Sequence, residues 1–164
     1  MQADKALDFF VAYQKARNFS ELTISAYQTD LIQFLEFAGH ETGTDFEKMD
    51  VENTDYFIVR SYIGFLIQKE LKRKSIARKL AAIRSFFKYL CREGYLTDNP
   101  VQKVSTPKQG KTLPRFLFEE HMNKLLGAPD SATIKGIRDQ VILEFLYGSG
   151  LRVSELVSLN IMDV

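Results

Sequence analysis

The sequence predicts an all-α protein, and three observations predict it. Apolar residues recur three, four and seven positions apart through most of the chain, the spacing that lines one face of a helix. No stretch alternates apolar and polar residues for long enough to make a half-buried strand. The breaks between periodic stretches carry the serine, glycine and proline residues that start and stop helices.

The elements follow in order. A first helix is predicted over residues 3–17, with Leu7, Phe10 and Tyr13 turned inward. A second runs over residues 20–38, where Ile24, Tyr27, Leu31, Phe34 and Leu35 keep helical spacing; Gly39 and Gly43 stop it, and residues 42–50 form a loop. A third starts near Asn53 and carries Tyr56, Val59, Ile63, Leu66 and Ile67. A fourth begins near Ser75, read as its N-cap, and ends at Gly94. Residues 99–114 then lose helical periodicity and hold three of the four prolines, one glycine and three lysines, the texture of an extended linker. Beyond it come a short helix over 119–126, a turn at Gly127-Ala-Pro-Asp130, a helix over 134–147 and another from Val153. The organisation is a helical domain over 1–98, a basic linker over 99–114 and a second helical part over 115–164.

Composition bounds the function. The 164 residues are 45% hydrophobic and 12% aromatic, enough for real cores in one or two domains. No apolar run approaches the roughly 18 residues of a membrane span, and the first residues lack the basic and apolar regions of a signal peptide. The single cysteine, Cys91, falls on a helical apolar face and reads as a buried thiol in a reducing, cytoplasmic setting.

The net charge of +1 conceals a segregation. Residues 1–68 carry five basic and eleven acidic side chains, residues 69–115 thirteen basic and three acidic, and residues 116–164 four basic and seven acidic. The positive block centres on the fourth helix. At about 100° per residue, Ile76, Leu80, Ile83, Phe87, Leu90 and Cys91 share one face, while Lys74, Arg78, Arg84, Lys88 and Arg92 cluster opposite. No acidic residue lies between Lys72 and Arg92. Like charges at i, i+4 repel, and a polyanion relieves that repulsion while releasing its counterions. Nucleic acid is the natural partner; an acidic protein, anionic lipid or plain solvation are the alternatives. Lys103, Lys108 and Lys111 extend the charge into the linker, which either follows a phosphate backbone or serves as a solvated hinge.

Near the carboxyl end, Leu146-Tyr-Gly-Ser-Gly-Leu-Arg-Val-Ser-Glu-Leu156 runs an apolar helix (Val141, Ile142, Phe145, Leu146) into two glycines and then Arg152. Such a junction is expected to hold a guanidinium at a buried element end, placed to grip a phosphate. Taken alone, Arg152 and Glu155 also fit an ordinary helix ion pair.

The stretch from Ile137 to Asn160, with its Gly-Ser-Gly-Leu-Arg-Val-Ser-Glu core, resembles the first catalytic motif of the tyrosine recombinases, the Xer type above all. Thr23-Ile-Ser-Ala-Tyr-Gln-Thr-Asp-Leu31, Ser75-Ile-Ala-Arg-Lys-Leu-Ala-Ala-Ile-Arg-Ser-Phe-Phe-Lys-Tyr-Leu90 and Asn99-Pro100 resemble the family's SAM-like core-binding domain. Lys108 and Leu113-Pro-Arg-Phe-Leu117 resemble its linker. Phe118 departs from the pattern, standing where the family often has a capping Ser or Thr; loss of such a cap costs about 1 kcal/mol.

The resemblance implies a four-helix SAM-like domain followed by the first helices of a catalytic domain. It implies a DNA strand transferase that needs no cofactor and no metal and works through a 3′-phosphotyrosyl intermediate. It implies a tetramer on two double-stranded recombination sites, resolving chromosome dimers in the bacterial cytoplasm with a DNA translocase as further partner. Arg152 becomes the first phosphate-stabilising arginine and Glu155 the residue that orients it. Thr23, Ser25, Tyr27, Ser75, Arg78, Lys79, Arg84 and Lys88 become DNA contacts, with Arg78 the base reader, and Lys108 and Lys111 follow the backbone. The family's lysine, His-x-x-Arg box and nucleophilic tyrosine lie beyond this arginine, and neither His40 nor His121 begins such a box. The 164 residues alone are therefore expected not to cleave DNA. A phage or transposon integrase, and a helical DNA-binding module that does not cut, are the competing readings.

Overall fold

Side-chain caps and left-handed residues set most helix ends in the computed structural model, which describes every residue except 46, 107–115 and 164. α1 spans Ala3–Ala16 and buries Ala3, Ala6, Leu7 and Phe10. Ser20 then caps α2, Glu21–Thr42, by accepting from the Thr23 amide at 3.2 Å. α2 continues through Gly39, which was expected to stop it, and ends at Gly43 in the left-handed region at φ 69°. A lone glycine inside a helix costs about 1 kcal/mol, too little to end one that is packed against the core around it, where Gly39 itself is buried.

Two further boundaries differ from the sequence reading. Val51–Asn53 forms a 3-10 turn, and α3 begins only at Tyr56 and runs to Gln68, because the Asp55 carboxylate accepts from the Ile58 amide at 2.8 Å. α4, Arg73–Arg92, starts two residues before Ser75, which is no N-cap: Lys72 occupies that position without a side-chain bond. The reason lies in the preceding turn. Glu70 is left-handed at φ 55°, and the Leu71 amide reaches back to the Leu66 carbonyl, so the four residues 69–72 turn the chain tightly into α4. Gly94, at φ 77°, closes α4 as expected.

α1 to α4 enclose an aromatic core. Phe10 meets Phe86 edge-on at 5.5 Å, and Phe34 meets Tyr62 at 5.3 Å and Phe87 at 6.1 Å. Val101 and Val104 are buried in the same core, with the Asn99 side chain accepting from the Val101 amide. The start of the predicted linker is thus packed structure. Cys91 is partly rather than fully buried; burial, with the Asp98 charge second, pushes its thiol pKa up.

Tyr62 is buried and its hydroxyl has no partner among the described residues. Burial first, then the charges of Asp30 and Glu36, push its pKa up to about 12. An unfolded tyrosine ionises near ~10, so the native state holds the proton longer. Stability is therefore full below about pH 10 and falls by about 2–3 kcal/mol as pH climbs toward 12. Urea unfolding across that range should show a smaller fall in Tyr62→Phe than in the wild type; equal falls would refute the assignment. At neutral pH the substitution should change stability by less than about 1 kcal/mol, since it deletes an unpaired hydroxyl.

The chain divides into two units, Met1–Gly110 and Lys111–Val164. In the second, α5 is Glu119–Leu126, α6 Ile134–Ser149 and α7 Val153–Val157, followed by a 3-10 turn at Ile161–Asp163. Phe118 precedes α5 without a capping bond, whereas Thr133 caps α6 through the Gly136 amide at 3.0 Å. Gly136 has to be glycine, because a Cβ there would lie 1.9 Å from the Asp130 carbonyl oxygen. Of the described residues in this unit only Gly136 is buried, and Ile134, Ile137, Val141, Val153 and Val157 are exposed. Among the described residues there is no strand, only a bridge between Gln2 and Asp50, and no helix is long and apolar enough to cross a membrane.

Candidate nucleic-acid interface

The helical period of α4 separates its two roles. Ile76, Leu80, Ile83, Phe86, Phe87 and Leu90 are buried, and Lys74, Arg78, Lys88 and Arg92 lie toward solvent on the other side. Lys72, Lys74, Ser75, Ala77 and Arg78 line an open depression at the start of the helix. Lys72, Lys74 and Lys88 make no ion pair among the described residues, so three ammonium groups are available to an anion. Arg92 is occupied: its guanidinium lies 4.4 Å from the centre of the Tyr13 ring and donates to Tyr13 Oη and to Glu93. That bond, ahead of the one from Arg17, pulls the Tyr13 phenol pKa down.

α2 supplies the neighbouring polar groups. The Thr23 hydroxyl sits 2.8 Å from Ser20 Oγ within the N-cap, so Thr23 is tied into the helix start. Ser25 is exposed, Tyr27 is half-buried against the core, and Ser75 is half-buried in the first turn of α4.

Lys79 corrects the sequence reading. It is only 7% exposed, its Nζ donates to Asp30 Oδ1 at 2.9 Å and it also donates to Gln33 Oε1, so it is no solvent-facing phosphate contact. The wheel contains the reason: Lys79 stands about 100° from Arg78, on the side of the apolar face. Asp30 is 1% exposed and also accepts from Arg78 Nη1 through its second oxygen. The sequence reading missed this carboxylate, although an acid four residues before Phe34 and next to Leu31 on a packed face signals a buried ion pair.

Arg84 is also engaged inside the first unit. Its guanidinium donates to the Val104 carbonyl and, at 2.5 Å, to Thr106 Oγ1, tying the segment after α4 back onto the helix. The stripe thus splits into lysines without an ion pair and arginines with at least one internal partner among the described residues. Lys108 and Lys111 lie outside the described residues.

In the second unit, Gly150 ends α6 at φ 67° and Arg152 stands at the N-cap of α7. Glu155 accepts from the Arg152 amide at 2.7 Å and from its Nη1 at 2.9 Å. The expected neighbours are therefore together, but the guanidinium is not buried: the Arg152 side chain is 82% exposed. Val141 and Ile142 of the preceding helix are exposed as well. Among the described residues no three His, Cys, Asp or Glu side chains are grouped to hold a metal ion.

Comparison with known proteins matches these two units in order. Residues 7–94 match the family described as phage integrase, N-terminal SAM-like domain, and residues 115–164 match the phage integrase family. A tyrosine recombinase XerC of Pelotomaculum thermopropionicum is 39% identical over 159 residues, covering 96% of this chain and 52% of its own. Another, of Oceanobacillus iheyensis, is 38% identical over 164 residues, covering 99% of this chain and 52% of its own. The chain spans about half the length of the curated relatives it matches. The solved integrase from mycobacterium phage Brujita shares the fold, with a TM-score of 0.54 and 18% identity over 92% of this chain and 47% of its own. With the SAM-like match alone spanning more than half of the residues and the helix–glycine–arginine corner inside the second match, the chain belongs to the phage integrase family of tyrosine recombinases.

Proposed function

We propose that this chain is the DNA-binding part of a Xer-type site-specific recombinase, with Arg152 as one phosphate-stabilising group of its strand-transfer site. The observation that carries the binding reading is α4, a helix free of acids from Arg73 to Arg92 with Lys72, Lys74 and Lys88 unpaired among the described residues. Neutralising phosphates with such groups releases condensed counterions and supplies most of the affinity for duplex DNA. Ser25, Tyr27 and Ser75 on α2 and α4 add polar contacts beside them, and Lys108 and Lys111 continue along the backbone.

The chemistry follows from phosphodiester exchange. A tyrosine oxygen attacks the scissile phosphorus, the bond to the 5′ oxygen breaks, and that oxygen leaves with a proton as a 5′ hydroxyl. A 3′-phosphotyrosyl ester remains, so the energy of the diester is kept and no cofactor is consumed. Negative charge grows on the non-bridging oxygens during the attack, and a fixed guanidinium stabilises it. Arg152 serves there, with Glu155 fixing its direction through the bonds it accepts from both the amide and Nη1. Relatives named tyrosine recombinase XerC at 38–39% identity support the Xer reading over that of a mobile-element integrase. In that reading the complete enzyme acts as a tetramer on paired sites in chromosome dimer resolution, with a DNA translocase as regulator.

Two measurements test the proposal. The 164-residue chain should bind duplex selected from a random-sequence pool, with an affinity that falls steeply with salt; salt-independent or absent binding would sink it. Incubated with nicked suicide substrates built on that duplex, it should form no covalent adduct, because no His-x-x-Arg box accompanies Arg152 in these residues. A stable adduct would overturn that part.

A further inference from the structure

Asp30 is the least expected ionisable group in the first unit. It is 1% exposed on the packed side of α2, and a carboxylate there is tolerated only with charged partners in contact. One partner suffices for neutrality. Lys79 is itself buried, stands 2.9 Å from Oδ1 and is further held by Gln33. The bond from Arg78 to Oδ2 is therefore a second cation on a carboxylate already matched.

That bond does little for the core, because the Arg78 side chain remains 52% exposed. What it does is fix one end of the guanidinium. Arg78 uses Nη1 on Asp30, and its remaining donors have no partner among the described residues. Arg78 lines the open depression together with Lys72 and Lys74. A carboxylate in contact weakens the pull of Arg78 on a phosphate, since its negative charge repels the phosphate. A neutral acceptor pair carries no such penalty, and a guanidinium held in one orientation loses less entropy on meeting it. In duplex DNA the neutral pair that matches a guanidinium fork is O6 and N7 of guanine in the major groove.

We propose that Asp30 is a positioning residue that sets sequence specificity, holding Arg78 so that its free donors contact one guanine, while Lys72, Lys74 and Lys88 take phosphates. This rests on the DNA-binding reading above. Lys79 completes the device by giving Asp30 its buried counter-charge, so that the carboxylate can hold Arg78 from within the core.

The test uses the 164-residue chain and the duplex it selects from a random pool, with each base pair then replaced in turn. The wild type should prefer guanine at one position by roughly 5- to 150-fold. Arg78→Ala should cut that preference to less than about 2-fold there, with other positions unchanged and the salt slope nearly unaltered. Asp30→Asn should lose the same preference while its salt slope stays equal or steepens, as the freed Arg78 turns to phosphate. Because Asp30→Asn leaves the Lys79 charge unmatched, the pair Asp30→Asn with Lys79→Met provides a charge-balanced version, and loss of the same single preference is expected. Uniform weakening by Arg78→Ala across all duplexes, with a salt slope lower by about 0.9, would overturn the inference and leave the DNA-binding reading standing. Absence of any salt-dependent duplex binding would overturn both.

Discussion

Replacing Asp30 with alanine lowers the unfolding free energy of the first unit by about 3–5 kcal/mol, the cost of breaking a buried ion pair from one side. The carboxylate is 1% exposed and the Lys79 ammonium is left buried beside Gln33 alone. Arg78 adds little to this loss, since its guanidinium can turn into water. Replacing Lys79 with methionine in the same chain removes the stranded charge and keeps much of the volume, so the double variant should recover most of the stability. Urea unfolding followed by circular dichroism measures both. A loss below about 1 kcal/mol for Asp30→Ala, or no recovery in the double variant, would mean that water reaches the pair.

Alanine at Lys72, Lys74 and Lys88 together flattens the salt dependence of duplex binding by roughly 2.7 units of log K per log salt, about 0.9 for each phosphate that is no longer neutralised. All three are exposed, on or capping α4, and none has an ion-pair partner among the described residues. Arg84→Ala should leave that slope where it was, because its guanidinium already donates to the Val104 carbonyl and Thr106 Oγ1. Its expected effect is instead faster tryptic cleavage after Lys103, in the absence of DNA. Affinities measured between about 50 and 200 mM salt, a range over which phosphate-bound cations act strongly, separate the cases. A triple variant with the wild-type slope would show that the lysines are only solvated, and a reduced slope in Arg84→Ala would return that residue to the phosphate-binding set.

The two cases differ in what local sequence can encode. Helical spacing was readable because apolar residues three and four apart repeat within each element, and α1, α5, α6 and α7 start within a residue or two of where that spacing puts them. The start of α4 was misplaced because Ser75 is a good capping residue, yet the left-handed Glu70 ends the preceding turn early and the helix begins at Arg73. Val101 and Val104 were read as linker because two isolated valines among prolines and lysines carry no period; their burial depends on α4 offering them a surface. In the same way, Arg152 and Glu155 were paired by their i, i+3 spacing, whereas the 82% exposure of the arginine is set by packing that spacing does not describe.

By itself the sequence determined the all-helical class, the inward face of each helix, the concentration of positive charge on α4 and the helix–glycine–arginine corner of the second unit. These are local properties, set by period, caps and composition within a few turns. Only the tertiary structure decided which cations remain free. Lys79 and Arg78 meet Asp30 across 49 and 48 residues of chain, and Arg84 meets Val104 and Thr106 across 20 and 22. A charge is fully available to a ligand only where no internal partner draws on it, and for α4 that partner is chosen by how the helices pack.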